Sequence, residues 1–272
     1  MVAIGPARRV VVIGGALTEI AYRLGQQGRI VAVDQTSLYP PEARKKPDVG
    51  YMRTLSAEGV LAVRPDLILA IEGSGPATTL DILEHAAVPI VIVPERYTIA
   101  GIVGKVRMVG AVFGAGAAAA TLADGIAADG AALAAGVAGI VARRRVLFVL
   151  SLAGGRILAA GGNTAANAIL HLAGAANAVT GFDGYKPLSA EAILAARPDA
   201  VLAMSGAGPE SITAAEAFAI PALAATPAGR ARRLVTMDGL YLLGFGPRTV
   251  SAARDLAAAL YPGLRLPAGS AG

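Results

Sequence analysis

Two side chains able to do chemistry stand two residues apart in the segment Gly50-Tyr51-Met52-Arg53. In an extended segment, residues i and i+2 point the same way, which would set the Tyr51 phenol and the Arg53 guanidinium on one side. A free phenol ionises near pH 10. A neighbouring guanidinium and a bound cation both favour its phenolate form. Phenolate oxygen is a hard donor suited to ferric iron, and tyrosinate is among the axial ligands that haem iron accepts. The plainer reading of the same residues is a half-buried surface tyrosine in a turn.

Other chemistries lack their parts. The chain has no Cys, which removes disulfide scaffolds, zinc ribbons and thiol catalysis. Its two imidazoles, His85 and His171, each fall in a helix-like pattern and read as structural or surface residues. No G-x-S-x-G, H-x-x-x-H, carboxylate cluster or glycine-rich phosphate loop is present. The run Val10–Ile13, Gly14-Gly15 and a second run ending in Asp34 has the outline of a dinucleotide-binding unit. Its two glycines are adjacent rather than spaced as G-x-G-x-x-G, and Glu19 would bring negative charge to the pyrophosphate.

The elements that must position these residues are legible in the composition. Of 272 residues, 55% are hydrophobic and 16% charged, which excludes a disordered chain. The uncharged stretch 157–182 is broken by Asn163, Thr164, Asn167, His171 and Asn177, and 108–123 is small-residue-rich, so no membrane span is expected. Basic residues exceed acidic ones by five but are scattered, and aromatics are 4%, so no nucleic-acid face is expected. Residues 1–7 carry neither a basic n-region nor an apolar h-region.

An internal repeat organises the rest. Tyr51-Met-Arg-Thr-Leu-Ser-Ala-Glu-Gly-Val-Leu-Ala-Val-Arg-Pro-Asp66 is echoed by Tyr185-Lys-Pro-Leu-Ser-Ala-Glu-Ala-Ile-Leu-Ala-Ala-Arg-Pro-Asp199. Upstream, Arg9-Val-Val-Val-Ile-Gly14 answers to Arg145-Val-Leu-Phe-Val-Leu150. Each half alternates short Val/Ile runs with helical patterns, the mark of parallel sheets covered by helices. First-half strands are expected at 10–13, 30–33, 67–71 and 89–93, with an amphipathic helix over 81–87. In Leu-Ser-Ala-Glu, Ser56 and Ser189 read as helix caps, with Glu58 and Glu191 in the first turn. A helix is expected over 99–113. Leu122, Ile126, Leu133 and Val137 keep helical spacing through a stretch without Pro. The expected architecture is an α/β protein of two similar lobes with parallel-type sheets. The N-terminal lobe would be 1–114, a bridging helix 115–138 and the C-terminal lobe 139–272, with a ligand in the cleft between lobes.

The two-lobe repeat with a helical connector resembles the substrate-binding proteins of ABC importers for iron-siderophores, vitamin B12 and haem. Within that group, Asp48-Val-Gly-Tyr-Met-Arg-Thr-Leu-Ser-Ala-Glu-Gly-Val-Leu61, Gly184-Tyr-Lys-Pro-Leu-Ser189 and Leu243-Gly-Phe-Gly-Pro-Arg-Thr249 resemble the haem-binding periplasmic proteins. The resemblance runs from about Arg9 to Pro262.

It implies a non-enzymatic carrier of ferric haem (protoporphyrin IX), with Tyr51 as the axial iron ligand and Arg53 supporting the phenolate. Candidate partners of the haem propionates are Arg53, Lys186, Arg96 and Arg248. Tyr185, the repeat counterpart of Tyr51, would meet the other haem face or a second haem. It also implies an inner-membrane ABC permease/ATPase as partner, an outer-membrane haem uptake system upstream, and a periplasmic location after removal of a leader. Docking in such proteins uses one acid per lobe. Glu210 suits the second lobe, while Asp81, Glu84 and Glu95 are first-lobe candidates. The alternatives are a siderophore or cobalamin carrier of the same architecture, and a cytosolic nucleotide-dependent α/β enzyme.

Overall fold

The computed structural model describes residues 7–153, 156–205 and 211–266. The chain divides into two compact units, 1–128 and 129–272. The division falls within one long helix.

In the first unit, β1 (Val10–Ile13), α1 (Gly15–Arg23), β2 (Ile30–Val33), α2 (Ala57–Ala62), β3 (Leu67–Ile71), α3 (Ala77–His85) and β4 (Ile90–Val93) alternate as the Val/Ile runs require. The sheet has the order β2-β1-β3-β4 and every pairing is parallel. Both central strands, β1 and β3, are buried along their whole length. That explains their unbroken apolar runs. Two boundaries move from those expected: β4 begins at Ile90, and the helix near 81–87 starts four residues earlier, at Ala77 behind Pro76. Proline fits there, because the first helical amides have no partner to lose.

Helices α4 (Ile99–Phe113) and α5 (Gly116–Ala138) follow. Thr98 caps α4 by accepting from the Gly101 amide, and Gly114, at φ 66°, ends it in the left-handed conformation that glycine adopts without penalty. Helix α5 is long and apolar enough to cross a membrane by length and composition, which the sequence reading did not anticipate. It nonetheless buries a stripe at Ala119, Ala123, Ile126, Leu133 and Val137, the spacing of a helix packed on one face. Leu122 lies off that stripe and is half-buried.

The second unit repeats the plan with an insertion. Its strands are β5 (Arg145–Ala153), β6 (Arg156–Ala160), β7 (Ala176–Asn177), β8 (Tyr185–Leu188), β9 (Ala200–Ser205) and β10 (Leu234–Asp238). Its helices are α6 (Ala165–Leu172), α7 (Ala190–Ala196), α8 (Ala214–Ala219), α9 (Pro221–Ala224), α10 (Pro227–Arg230), α11 (Gly239–Leu243) and α12 (Thr249–Leu260). The parallel set β7-β5-β9-β10 reproduces β2-β1-β3-β4. The sheet is mixed rather than parallel throughout, because β6 runs antiparallel to both β5 and β8. β7 pairs with only the first two residues of β5, which spans nine, so the remaining edge is open to β6.

The repeated sequence does the same structural work twice. Ser56 accepts from the Gly59 amide and Ser189 from the Ala192 amide, as N-caps. Asp66 accepts from the Arg8 and Arg9 amides, and Asp199 from that of Arg145. The Arg9 side chain donates to the Val63 and Arg64 carbonyls, and Arg145 donates to those of Ala196 and Ala178. Each Arg–carboxylate set ties the start of a strand to the helix turn before its neighbour.

Candidate ligand-binding site

The first unit holds Tyr51 at the carboxyl ends of its parallel strands, the edge where open α/β sheets take ligands. The loop is fixed on both sides by backbone hydrogen bonds. On the β2 side, the Val49 amide donates to the Val33 carbonyl and Gln35 to Gly50, each at 3.0 Å. On the β3 side, Gly75 donates to Met52 and Leu55 to Gly75, both at 2.9 Å. Gly50, at φ 96°, supplies the left-handed bend that enters the motif, and the Asp48 carboxylate accepts its amide at 2.7 Å.

The segment is a turn, not an extended strand: the Thr54 amide donates to the Tyr51 carbonyl at 2.8 Å. Period-two alternation therefore does not place Tyr51 and Arg53. Their exposure has another cause. Met52, between them, packs against the core of the first unit formed by Val11, Ile13, Val49, Leu55 and Leu83. With Met52 seated, its neighbours project to solvent. Tyr51 is 42% exposed and Arg53 is exposed.

Beside this loop, the ends of β3 and β4 carry a charge network that sequence reasoning missed. Glu72 closes β3 and accepts from the Glu95 amide at 2.9 Å and from Arg96 Nη1 at 2.7 Å. These contacts, led by the Glu95 amide, hold its carboxyl below the ordinary carboxylate range. Arg96 Nη1 also donates to the Glu95 carbonyl, so this propionate candidate is already paired, although its side chain remains 64% exposed. Lys105, on α4, is 1% exposed and donates to Glu95 Oε1 at 2.6 Å. Burial pushes Lys105 down and Glu95 up, while their attraction opposes both shifts. Tyr97 is raised chiefly by burial and then by the Glu95 charge; the Arg53 guanidinium opposes this, which puts Arg53 within electrostatic reach of Tyr97. The available signals were a lysine inside the apolar run 99–113 and a glutamate closing a buried strand.

The second-unit candidates divide. Tyr185 opens β8 opposite Ala160 and is 37% exposed, its ring edge-on to Phe148 at 6.5 Å. Lys186 pairs opposite Ala159, a residue of the second core, and its ammonium lies 5.2 Å from the Phe182 ring. Successive strand residues face opposite ways. Tyr185 and Lys186 therefore leave β8 on opposite faces. Arg248, which precedes α12, stacks 5.2 Å from the centroid of the Tyr241 ring. Glu210 lies outside the described residues.

The nucleotide-binding outline dissolves in the structure. Asp34, 2% exposed, accepts from the Gly14 amide at 2.8 Å, the Thr36 amide and hydroxyl, and the Ser37 hydroxyl. The Thr36 hydroxyl in turn takes the Gly15 amide. The carboxylate and amides that would serve a ribose and pyrophosphate are spent closing the β1–α1 turn. His85 and His171 are exposed, and His85 Nδ1 lies 2.7 Å from the Asp81 carbonyl on its own helix. No group of three or more His, Cys, Asp or Glu suited to a metal ion occurs among the described residues.

A family model for periplasmic binding proteins matches residues 10–241. The chain belongs to that family. Its members bind substrates without transforming them, so the protein is a substrate-binding protein and not an enzyme. The structure superimposes on the periplasmic heme-binding protein BhuT in complex with two hemes (42% identity, TM-score 0.89, covering 94% of this chain and 98% of that one). It also matches the periplasmic heme-binding protein RhuT from Roseiflexus sp. RS-1 (36% identity, TM-score 0.89, covering 95% and 100%). Among curated relatives, an uncharacterized ABC transporter substrate-binding lipoprotein of Bacillus subtilis, YvrC, is 25% identical over 94% of this chain and 80% of its own length. The vitamin B12-binding protein of Vibrio campbellii is 35% identical over 86 residues only, 31% of its length.

Proposed function

We propose that this periplasmic binding protein carries ferric haem, with the Tyr51 phenolate as axial iron ligand, and delivers it to an inner-membrane ABC importer. The observation that carries the reading is the pinned turn at 50–54, which holds an exposed phenol with a guanidinium two residues on, at the ligand-binding edge of a parallel sheet. The solved relatives are periplasmic heme-binding proteins, which supports haem as the cargo.

In this reading Tyr51 supplies the oxygen ligand, and Arg53 stands two residues on in the same turn. Arg53, Arg96 and Arg248 are candidate propionate partners. Tyr185 offers a second phenol, and Lys186, on the opposite face of β8, is a further candidate cation. Haem offers flat apolar faces whose burial contributes about 25 cal/mol per Å².

Titration with ferric haem tests this. The expected result is a saturable high-spin ferric spectrum with a phenolate charge-transfer band, lost in Tyr51→Phe. A wild-type protein giving no saturable spectrum would rule out haem; an unchanged band in the variant would rule out Tyr51 alone. The short match to vitamin B12-binding proteins supports a second reading, cobalamin carriage. Saturable binding of cyanocobalamin, with none of haem, would decide for it.

A further inference from the structure

We infer a separate small-molecule site in the second unit, for an elongated organic dianion with an apolar body. It is a groove between α7 and residues 178–182, closed by Arg145 at one end and by Lys186 at the other. Its volume is about 580 Å³, inside the range of roughly 300–1,000 Å³ of small-molecule sites. The Arg145 guanidinium bridges the two walls. Its Nε donates to the Ala196 carbonyl, at the close of α7, and its Nη2 to the Ala178 carbonyl, each at 3.0 Å. Its Nη1 has no acceptor among the described residues. At the other end the chain passes from β8 into α7, and there the Lys186 ammonium lies 5.2 Å from the Phe182 ring. Lys186 is exposed and forms no ion pair among the described residues. The remaining lining is mostly apolar, with Val179, Phe182 and Leu188 facing Ala192 of α7.

No acid of the wall answers either cation. Asp183 lines a neighbouring hollow with Gly162 and Asn167, where it accepts from Asn163 Nδ2 at 2.6 Å. Glu191, on α7, is outside the lining and bonds its own amide and the Ser189 hydroxyl. A neutral occupant would therefore leave both cations unmatched, and a monoanion one of them. The run from Ser189 to Ala196 rises about 10 Å, which sets the separation of the two anionic groups. Exposed ion pairs each contribute little, so the apolar body must supply part of the affinity through the surface it buries. Arg145 is fixed before any ligand arrives, and an ordered partner loses less freedom on binding. The groove lies on the Lys186 face of β8, whereas Tyr185 leaves by the other face. The inference therefore stands apart from the haem reading.

The test titrates the full chain with suberate, a linear dicarboxylate of about that length, and with its monomethyl and dimethyl esters. Calorimetry gives the affinities, and ¹H–¹⁵N spectra locate the site. Suberate should bind saturably and move the amides of 178–182 and α7. The monoester should bind about three- to fivefold more weakly, and the diester about tenfold or more. Lys186→Gln should bring suberate down to the affinity of the monoester. Arg145 also ties the strand start to α7, so a variant there would mix binding with folding. Ala192→Leu avoids this: the position is exposed, and the larger side chain fills the groove without touching either cation. It should melt as wild type and bind none of the three probes. No saturable binding of suberate, equal binding of the three probes, or wild-type binding by Ala192→Leu each overturns the inference. Displacement of suberate by ferric haem would overturn it as well, by making the groove part of the haem site. A protein that takes suberate but no haem would refute the haem reading alone.

Discussion

The two units share a sequence echo and treat it differently. Tyr51-Met-Arg-Thr-Leu-Ser and Tyr185-Lys-Pro-Leu-Ser both lead into a serine-capped helix, yet the first is a turn and the second a strand. The cause lies outside the motif. In the first unit β2 spans four residues and fills the edge of β1, so the loop that follows can only hang between strand ends. In the second, β7 covers two residues of β5, leaving an edge for β6, and β6 offers its own far edge to β8. The same tyrosine is thus held by backbone bonds at a sheet end in one unit and made a rung of a ladder in the other. Local sequence decides the caps; the free strand edge decides the conformation of what precedes them.

The largest contrast is electrostatic. Just past its last strand the first unit places Glu95 on the buried Lys105, whereas the second ends its last strand with Asp238 as a helix cap. Removing one partner of a buried pair costs about 3–5 kcal/mol. Lys105→Met is therefore expected to destabilise the fold by about 3 kcal/mol in urea melts. The loss has a pH signature. Without its cation Glu95 is held further above the ordinary range, so its proton stabilises the fold at low pH and that help vanishes as pH rises through the raised value. The deficit should shrink toward pH 4 and be full at pH 8. The double variant Lys105→Met/Glu95→Leu should be close to wild type, since both groups pay for burial when charged. A double variant as weak as the single one would mean that the pair stabilises the fold by more than its burial costs.

Next comes the contrast between the tyrosines. Tyr51→Phe should raise the haem dissociation constant about a hundredfold, about 2.7 kcal/mol, while Tyr185→Phe should change it less than about fivefold. Equal losses would make the strand tyrosine a second ligand and erase the distinction that the two backbones suggest.

How much of this could be read in advance depended on the range of the interaction. The strand cores, both serine caps and the 99–113 helix follow from period and local chemistry, and they stand where expected. The repeat also located both Arg–Asp ties, although their purpose emerged only with the strand ends they join. Tyr51 and Arg53 were identifiable by type. An extended segment would set both on one side, however, whereas the segment is a turn in which Met52 between them packs against the core. The opposed faces of Tyr185 and Lys186 were hidden for the complementary reason: nothing local says that β6 exists to turn this segment into a strand. Glu72 and Lys105 were overlooked because their partners lie 23 residues or so, and ten residues, away across separate elements. Such pairings are set by topology rather than by spacing.

Smaller effects sharpen the comparison at the strand starts. Asp66 accepts two amides at 2.7 and 2.9 Å, and Asp199 one at 2.8 Å. Asp66→Ala should cost about 1.5 kcal/mol and Asp199→Ala about 1 kcal/mol in denaturant unfolding. The reverse order would show that the less exposed setting of Asp199 outweighs the number of bonds.

The smallest difference concerns the caps themselves. Ser189 accepts from Ala192 at 3.2 Å, within range of a good bond, whereas Ser56 stands 3.4 Å from the Gly59 amide, near the limit. The glutamate that follows each cap sharpens this. Glu191 is held below the ordinary carboxylate range, first by its own amide and then by the Ser189 hydroxyl, so it adds stability above that range that is lost as pH falls. Ser189→Ala removes both the cap and a partner of that carboxylate, and should cost about 1 kcal/mol at pH 7 and less at pH 3. Ser56→Ala should cost about half as much, because a weak bond is replaced by water at an exposed helix end. Its residual value lies in the loop before it: the turn at 51–54 is already fixed by Gly75 from the β3 side, so losing this cap should leave haem binding unchanged. A Ser56→Ala protein with weakened haem binding would mean that α2, and not the strand ends, holds Tyr51 in place.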